Sequence, residues 1–347
     1  MNVRKDSQAL SARFYFASSG GEIQEGREKA DETIPPSAAE PGKGIFLSFF
    51  VPRRGFWVTP LLLDLNFLVF LAMCLSGVGI FFPDNVDLLH WGADFAPLTL
   101  TGDYWRVLTC NDVHVGLIHL AMNMYALLFI GLFLEPLAGS RRMAMAYVLS
   151  GLYASLASLS VNAEWIAAGA SGAIFGLYGL FFAYLLLRRG GEERRNTLLV
   201  SIAVFILYNL LFGMRDDSVD NAAHVGGLGC GFLLGLAYGM SDKVREKSKR
   251  MVVAYLAEFV LLSEFICWFS ALTHGMPPDY QDVREVWRSG LLEDYIRNGD
   301  SEIHSEENGM GQNTEYTVVE GWTMTDQDVW LSFSDDASGF SFRYPSN

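Results

Sequence analysis

Long apolar stretches alternate with short polar ones between residues 61 and 272, whereas both ends of the chain are polar. A stretch of about 20 apolar residues matches the roughly 30 Å hydrocarbon core of a bilayer, at about 1.5 Å of rise per helical residue. The pattern therefore predicts an all-α polytopic membrane protein. The predicted transmembrane helices cover residues 61–82, 115–136, 142–160, 168–187, 197–213, 221–240 and 251–272.

Two of these seven spans carry weaker signals. The fifth is short, and the seventh contains Glu258 and Glu264. A carboxylate near the centre of a span costs about 2.5–3.5 kcal/mol on insertion scales, and the many apolar neighbours of both residues can offset that cost.

Basic residues are concentrated in alternate connecting loops. The basic loops contain Arg53 and Arg54, Arg141 and Arg142, four Arg between 188 and 195, and five Lys or Arg between 243 and 250. The loops between them are poor in Lys and Arg. By the positive-inside rule, the N-terminus is cytoplasmic, and seven crossings then place the C-terminus outside.

Composition completes the predicted organisation. Residues 1–42 are polar and lack a signal-peptide core, which predicts a disordered cytoplasmic arm over residues 1–55. Residues 56–240 form a six-helix core, and 241–272 a basic loop with the seventh helix. Residues 273–347 contain 15 acidic residues and four Arg, and they form either a solvated external tail or, from the alternation at 315–344, a small strand-containing appendage.

The N-terminal arm lacks organelle-targeting features, so a bacterial inner membrane is the simplest location, and a eukaryotic secretory membrane stays open. The four cysteines show no paired spacing, which predicts neither disulfides nor a metal site. We expect no cofactor and no nucleic-acid partner. The sequence does not indicate an oligomeric state.

Ser171 and His224 lie in different predicted spans, each near the same end of the bundle. Strongly polar groups at bilayer depth are costly and are usually functional. A hydroxyl beside an imidazole is a candidate nucleophile and general base. Because peptide hydrolysis consumes water, a site near the outer surface fits this chemistry.

Two further features support a shared site. His119 and Asn123 are four residues apart on one helix face, where their donors could stabilise an oxyanion or simply bond to neighbouring helices. Small residues recur every four positions in both spans, which allows close helix approach. They are Ala168, Gly172 and Gly176 near Ser171, and Ala223, Gly227, Gly231 and Gly235 beside His224.

Taken together, the motifs resemble the rhomboid intramembrane serine proteases over about residues 57–240. The resemblance rests on Trp105-Arg106, His114, His119, Asn123, Glu135, Gly139, Gly169-Ala170-Ser171-Gly172 and Ala223-His224-Val225-Gly226-Gly227. It implies a six-helix rhomboid core, here followed by a seventh helix.

The resemblance also implies roles for individual residues. Ser171 matches the nucleophile and His224 the general base of a dyad without a third acid. His119 and Asn123 match the oxyanion side chains, with the Ser171 N–H as a third donor. The residues that match structural positions are Arg106, Glu135 and His114. Where the family often has a tyrosine that packs on the catalytic histidine, this chain has Phe175, whose ring can still stack.

The implied substrates are single-pass transmembrane proteins in a lipid bilayer, cut where the helix unwinds easily. We expect the gate at the end of span five, at Phe212, Gly213 and Met214. One alternative is a catalytically silent rhomboid-like protein that binds transmembrane clients, although such relatives usually lack the serine or the histidine. A solute transporter would call for charges lining a path and often for inverted repeats, and no repeat is visible.

Overall fold

The structure is a computed structural model that describes residues 49–188, 192–216, 219–290, 329–335 and 340–346. Between 49 and 290 its regular elements are all helical, as the hydropathy pattern predicts. Among the described residues, six helices are long and apolar enough to cross a membrane: α1 (Val58–Leu75), α5 (Leu117–Ala138), α6 (Ser140–Val161), α8 (Glu192–Gly213), α9 (Asn221–Ser241) and α10 (Lys247–His274). The predicted fold class, including the seventh helix, is confirmed.

The remaining predicted span is α7 (Ser171–Leu187), an apolar helix of 17 residues. Helices α6 and α9 pack against it, and most of its side chains are buried. A helix enclosed by protein need not match the full thickness of the hydrocarbon core, so its shortness is compatible with its central place. Helix α7 therefore lies at the centre of the bundle.

The fifth span is longer than predicted, because α8 begins at Glu192 rather than near residue 197. Its first turn carries Glu192 and Glu193, and carboxylates at a helix N-terminus are stabilised by the helix dipole. Hydropathy alone excludes such a polar turn from the span.

Glu135 joins the end of α5 to the start of α1. Its carboxylate accepts hydrogen bonds from the backbone N–H groups of Trp57, Val58 and Thr59 at 2.7–2.8 Å, and from the hydroxyls of Thr59 and Ser140. The first N–H groups of a helix lack intrahelical partners. A fully buried carboxylate thus caps α1 from another helix.

Helix α10 is held to the core by an ion pair whose carboxylate is buried. Arg141 of α6 donates two hydrogen bonds to the Glu258 carboxylate, at 2.9 and 2.7 Å, and the Tyr238 hydroxyl donates a third at 2.7 Å. These partners compensate the carboxylate whose position weakened the prediction of the seventh span. Glu264, the other acid of α10, accepts a longer hydrogen bond from the Tyr153 hydroxyl at 3.4 Å.

Within the connection between α1 and α5, residues 83–116 form a segment that we call the loop 83–116. It contains three short helices: α2 (Asn85–His90), α3 (Ala96–Thr99) and α4 (Arg106–Thr109). After α10 comes α11 (Asp279–Arg288), which packs on α3. Two antiparallel strands, β1 (Val329–Asp335) and β2 (Phe340–Ser346), pair with each other near the C-terminus. The predicted arm 1–55 lies outside the described residues up to 48, and so does most of the predicted tail 273–347.

Candidate active site

Ser171 and His224 meet between α7 and α9. Ser171 is the first residue of α7, and His224 lies in the first turn of α9. The Ser171 Oγ and the His224 Nε2 are 2.9 Å apart, within hydrogen-bond distance. The imidazole is only 8% exposed. A hydroxyl next to a buried imidazole is the arrangement that nucleophilic catalysis requires.

Glycines bring the two helices close enough for this contact. A Cβ atom at Gly227 would overlap the carbonyl oxygen of Gly172, and one at Gly231 would overlap the backbone of Gly176. At Gly172 the intruding Cβ would meet Ala154 of α6. The small-residue stripes of the sequence are thus the surfaces in contact, and we call this contact the α7–α9 seam.

Phe175 fixes one face of the imidazole. Its ring lies parallel to the His224 ring, with centroids 4.1 Å apart and planes inclined by 8°. The two residues are buried, so the stack restricts rotation of the imidazole about its side-chain bonds. The phenyl ring supplies this contact without the hydroxyl of a tyrosine.

The other imidazole nitrogen, His224 Nδ1, is buried and has no hydrogen-bond partner among the described residues. The nearby acid Asp220 is occupied elsewhere. Its carboxylate caps α9 by accepting from the Ala223 N–H at 3.0 Å, and it also accepts from the side chains of Ser158 and Asn162. Among the residues that the structure describes, no carboxylate is therefore hydrogen-bonded to His224.

His119 lies beside the turn that leads into Ser171. A Cβ at Gly169 would come within 2.5 Å of the His119 ring, and Gly169 has φ +126°, a conformation that favours glycine. The Asn123 side chain donates to the His119 carbonyl at 3.0 Å. Among the described residues, no hydrogen bond joins His119 or Asn123 to Ser171.

Arg106 and His114 are buried in the loop 83–116. Arg106 donates to the carbonyls of Leu89 and Ala93 at 2.6 and 2.9 Å. The His114 ring lies 5.3 Å from the His119 ring, and burial lowers the pKa of His114 to about 3. His114 is therefore neutral at physiological pH and packs beside His119.

The structure adds two contacts that the sequence analysis missed. Asp220 precedes a helix of small residues, a position where N-cap preference could have identified it. Asp94 pairs its backbone in both directions with Ala167 at 2.8 Å, which ties the loop 83–116 to the segment before Ser171. No local sequence signal marks that pairing. Among the described residues, no group of three His, Cys, Asp or Glu side chains could hold a metal ion.

Residues 101–241 match the family model of the Rhomboid domain. Similar proteins include Rhomboid protease GluP of Bacillus subtilis (strain 168), 31% identical over 236 residues that cover 68% of this chain and 45% of that protein. RHOMBOID-like protein 5 of Arabidopsis thaliana is 34% identical over 55% of this chain and 68% of its own length.

Rhomboid-like protease 1 of Toxoplasma gondii is 28% identical over 63% of this chain and 77% of that protein. Coverage is lower for other relatives: the chain spans less than half of GluP and of RHOMBOID-like proteins 1 and 4 of Arabidopsis thaliana.

Proposed function

The chain belongs to the rhomboid family, and from that premise we propose that it is an intramembrane serine endopeptidase that uses Ser171 and His224. The observation that carries the proposal is the 2.9 Å contact between the Ser171 Oγ and the His224 Nε2. The family contains proteins named as proteases, among them GluP.

In the proposed reaction, His224 Nε2 takes the proton of the Ser171 hydroxyl while Oγ attacks the scissile carbonyl. The resulting tetrahedral intermediate collapses, the amine leaves with the proton from His224, and an acyl-enzyme remains. A water molecule, deprotonated by His224, then hydrolyses the ester. The Phe175 stack holds the imidazole in the orientation that both proton transfers need.

The negative oxygen of each intermediate needs donors. Ser171 begins α7, and the first N–H groups of a helix have no intrahelical partner and favour negative charge. The Asn123 amide has two N–H bonds, of which one donates to the His119 carbonyl. We assign oxyanion stabilisation to the Ser171 N–H together with the side chains of His119 and Asn123.

The substrates we propose are single-pass transmembrane proteins that enter from the lipid bilayer. We also propose that the N-terminus is cytoplasmic and that the Ser171 end of the bundle faces outside, because the basic loops lie at the opposite end. A bacterial inner membrane is the proposed location. The Ser171 end is then in contact with the water that hydrolysis consumes.

The test is cleavage of a transmembrane substrate by the purified full chain in lipid vesicles. We expect Ser171→Ala and His224→Ala each to lower the rate by at least about 10³-fold. Ser160→Ala and His274→Ala are matched controls, because both residues are exposed and bond only to their own helices. Cleavage that survives Ser171→Ala would refute the assigned nucleophile. Binding of several substrates without cleavage would favour the silent, client-binding alternative.

A further inference from the structure

Helix α11 lies against the loop 83–116 and not free in solvent. Two consecutive residues, Val283 and Arg284, are buried to 3% and 8% exposure. The Trp287 ring contacts the His90 ring of α2, with centroids 4.7 Å apart and planes inclined by 41°. Helix α11 therefore packs on the loop through one of its faces.

Arg284 makes the polar contacts of this interface. Its guanidinium donates to the Leu98 carbonyl at 3.2 Å and the Thr101 hydroxyl at 2.9 Å, and it pairs with the Asp103 carboxylate at 2.7 Å. A Cβ at Gly102 would come within 2.9 Å of this guanidinium, and Gly102 has φ +139°. Burying an arginine is costly unless its charge and N–H groups are satisfied, so the contact is specific.

Asp103 contacts both Arg284 and Arg106. The second oxygen of the Asp103 carboxylate accepts from Arg106 Nε at 3.2 Å. The same Arg106 holds the carbonyls of Leu89 and Ala93. One acid thus joins the arginine of α11 to the arginine that organises the loop.

The loop in turn holds the segment before the serine. Asp94, which follows Ala93, pairs in both directions with the backbone of Ala167 at 2.8 Å. Two residues later, the Gly169 N–H donates to the Cys110 carbonyl at 2.8 Å. Gly169 contacts His119 and precedes Ser171 by two residues. A continuous series of contacts therefore runs from Arg284 to the serine.

We propose that Arg284 is a positioning residue and that α11 holds the loop 83–116, and through it the turn before Ser171, in the catalytic arrangement. The proposal rests on the proposed function. Helix α10, fixed by Glu258, delivers α11 to the loop. The seventh helix and its extension are then part of the machinery of the enzyme rather than an appendage to the six-helix core.

The experiment compares Arg284→Ala with Arg288→Ala in the full chain. Arg288 is the matched control, because it is an exposed arginine one turn further along α11. We expect Arg284→Ala to lower kcat for a transmembrane substrate about 10-fold with KM unchanged, since a misplaced nucleophile weakens transition-state stabilisation rather than binding. Labelling of Ser171 by a small fluorophosphonate should slow by the same factor. Arg288→Ala should match wild type in both assays.

A second readout does not depend on turnover. Hydrogen–deuterium exchange of residues 163–172 should quicken in Arg284→Ala and not in Arg288→Ala, since the turn loses its support. If Arg284→Ala does not fold, Arg284→Lys replaces it, because lysine keeps the positive charge near Asp103 but lacks the several N–H donors of the guanidinium. A kcat of Arg284→Lys about threefold below wild type supports the proposal, and a wild-type kcat refutes it.

The possible failures are distinguishable. Equal kcat for Arg284→Ala and Arg288→Ala overturns the positioning role, and so does a raised KM with unchanged kcat. A wild-type protein that neither cuts nor reacts with the fluorophosphonate contradicts the proposed function instead. Exchange at 163–172 then decides by itself whether α11 is coupled to the turn.

Discussion

Helices α8 and α9 pack against the same central helix, α7, in opposite ways. Helix α9 meets α7 through glycines whose missing side chains let the backbones touch. Helix α8 buries a single residue, Ile202, and exposes large apolar side chains along most of its length. In a bilayer, moving a leucine side chain from lipid to a helix–helix contact changes its free energy little, because both environments are apolar. Close packing therefore depends on small residues. Helix α9, which carries His224, is therefore packed much more closely against α7 than α8 is.

The attachment of α8 to α7 is largely aromatic. The Phe205 ring stacks on Tyr178 with centroids 4.2 Å apart, and it also lies 6.2 Å from Phe175. At the active-site end, the Asn221 side chain donates to the Leu210 carbonyl at 3.1 Å. With so few contacts, α8 is the side of the bundle through which we expect a substrate helix to approach Ser171.

The largest expected effect comes from a substitution that disrupts the α7–α9 seam. In Gly231→Ala the new methyl group would overlap the backbone of Gly176, which cannot move without displacing α7. We expect a loss of at least about 3 kcal/mol in the free energy of unfolding, measured in detergent micelles, together with loss of Ser171 labelling. Gly229→Ala is the control, because nothing lies within 4 Å of its Cβ position. Equal stability of the two variants would contradict the packing argument.

A second prediction concerns the polar loop 83–116, which pairs with the segment before Ser171 and contains the buried carboxylate of Asp94. Burial raises the pKa of Asp94 from 3.8 to about 6, although Thr99 donates to its carboxylate. The folded state therefore binds this proton more tightly, and the contribution of Asp94 to the free energy of unfolding falls as pH rises from about 4 to about 6.

Removing this carboxylate isolates its contribution. We expect the unfolding free energy of wild type to decline by roughly 2 kcal/mol more than that of Asp94→Asn across that pH range. Burial raises the pKa of Asp112 in the same loop to about 6 as well, and its contribution is common to both proteins and cancels. Parallel pH profiles for the two proteins would show that Asp94 is not the source of the decline.

The next prediction tests how the seam fixes the imidazole. Phe175→Ala removes the ring that lies 4.1 Å from His224 and lets the imidazole rotate. We expect kcat to fall about 10-fold while KM stays constant. Phe175→Tyr keeps the ring and should retain wild-type kcat. Steady-state cleavage of a transmembrane substrate measures both, and an unaltered kcat for Phe175→Ala would mean that the stack does not orient His224.

The smallest effect concerns α8. Phe205→Ala removes its stack on Tyr178, so α8 should separate from α7 more readily. We expect kcat/KM for a transmembrane substrate to rise about threefold if approach of the substrate limits the rate, with fluorophosphonate labelling unaffected. Val204→Ala is the control, because Val204 is 60% exposed towards the surroundings of the bundle. A decrease in kcat/KM would assign α8 a structural role instead.

Hydropathy could predict the membrane helices because bilayer thickness fixes the length of an apolar run. The pairing of Ser171 with His224 could be predicted because a stripe of small residues lies beside each of them. Such stripes allow two membrane helices to approach closely. The packing of helix α11 could not be predicted in this way, because its segment is polar. The hydrogen-bond partners of Arg284 are Leu98, Thr101 and Asp103, which lie more than 180 residues earlier in the chain.

The same limit applies to single residues. The capping role of Glu135 depends on α1, which lies 76–78 residues earlier in the chain. The pairing of Asp94 with Ala167 is made by backbone atoms, so it does not require particular residue types at these positions. Contacts between distant segments are set by the assembled fold, so no window of the sequence contains them.

The ion pair of Glu258 has a consequence for biosynthesis. Its partners, Arg141 and Tyr238, are synthesised 117 and 20 residues before it, so a finished core already presents a counter-charge when α10 leaves the ribosome. Half of the Arg141 side chain reaches the surface, at 46% exposure, whereas Glu258 is 8% exposed. Water can therefore solvate the Arg141 guanidinium where α10 is absent, whereas α10 without the core would leave a bare carboxylate in lipid. The order of translation matches this one-way dependence.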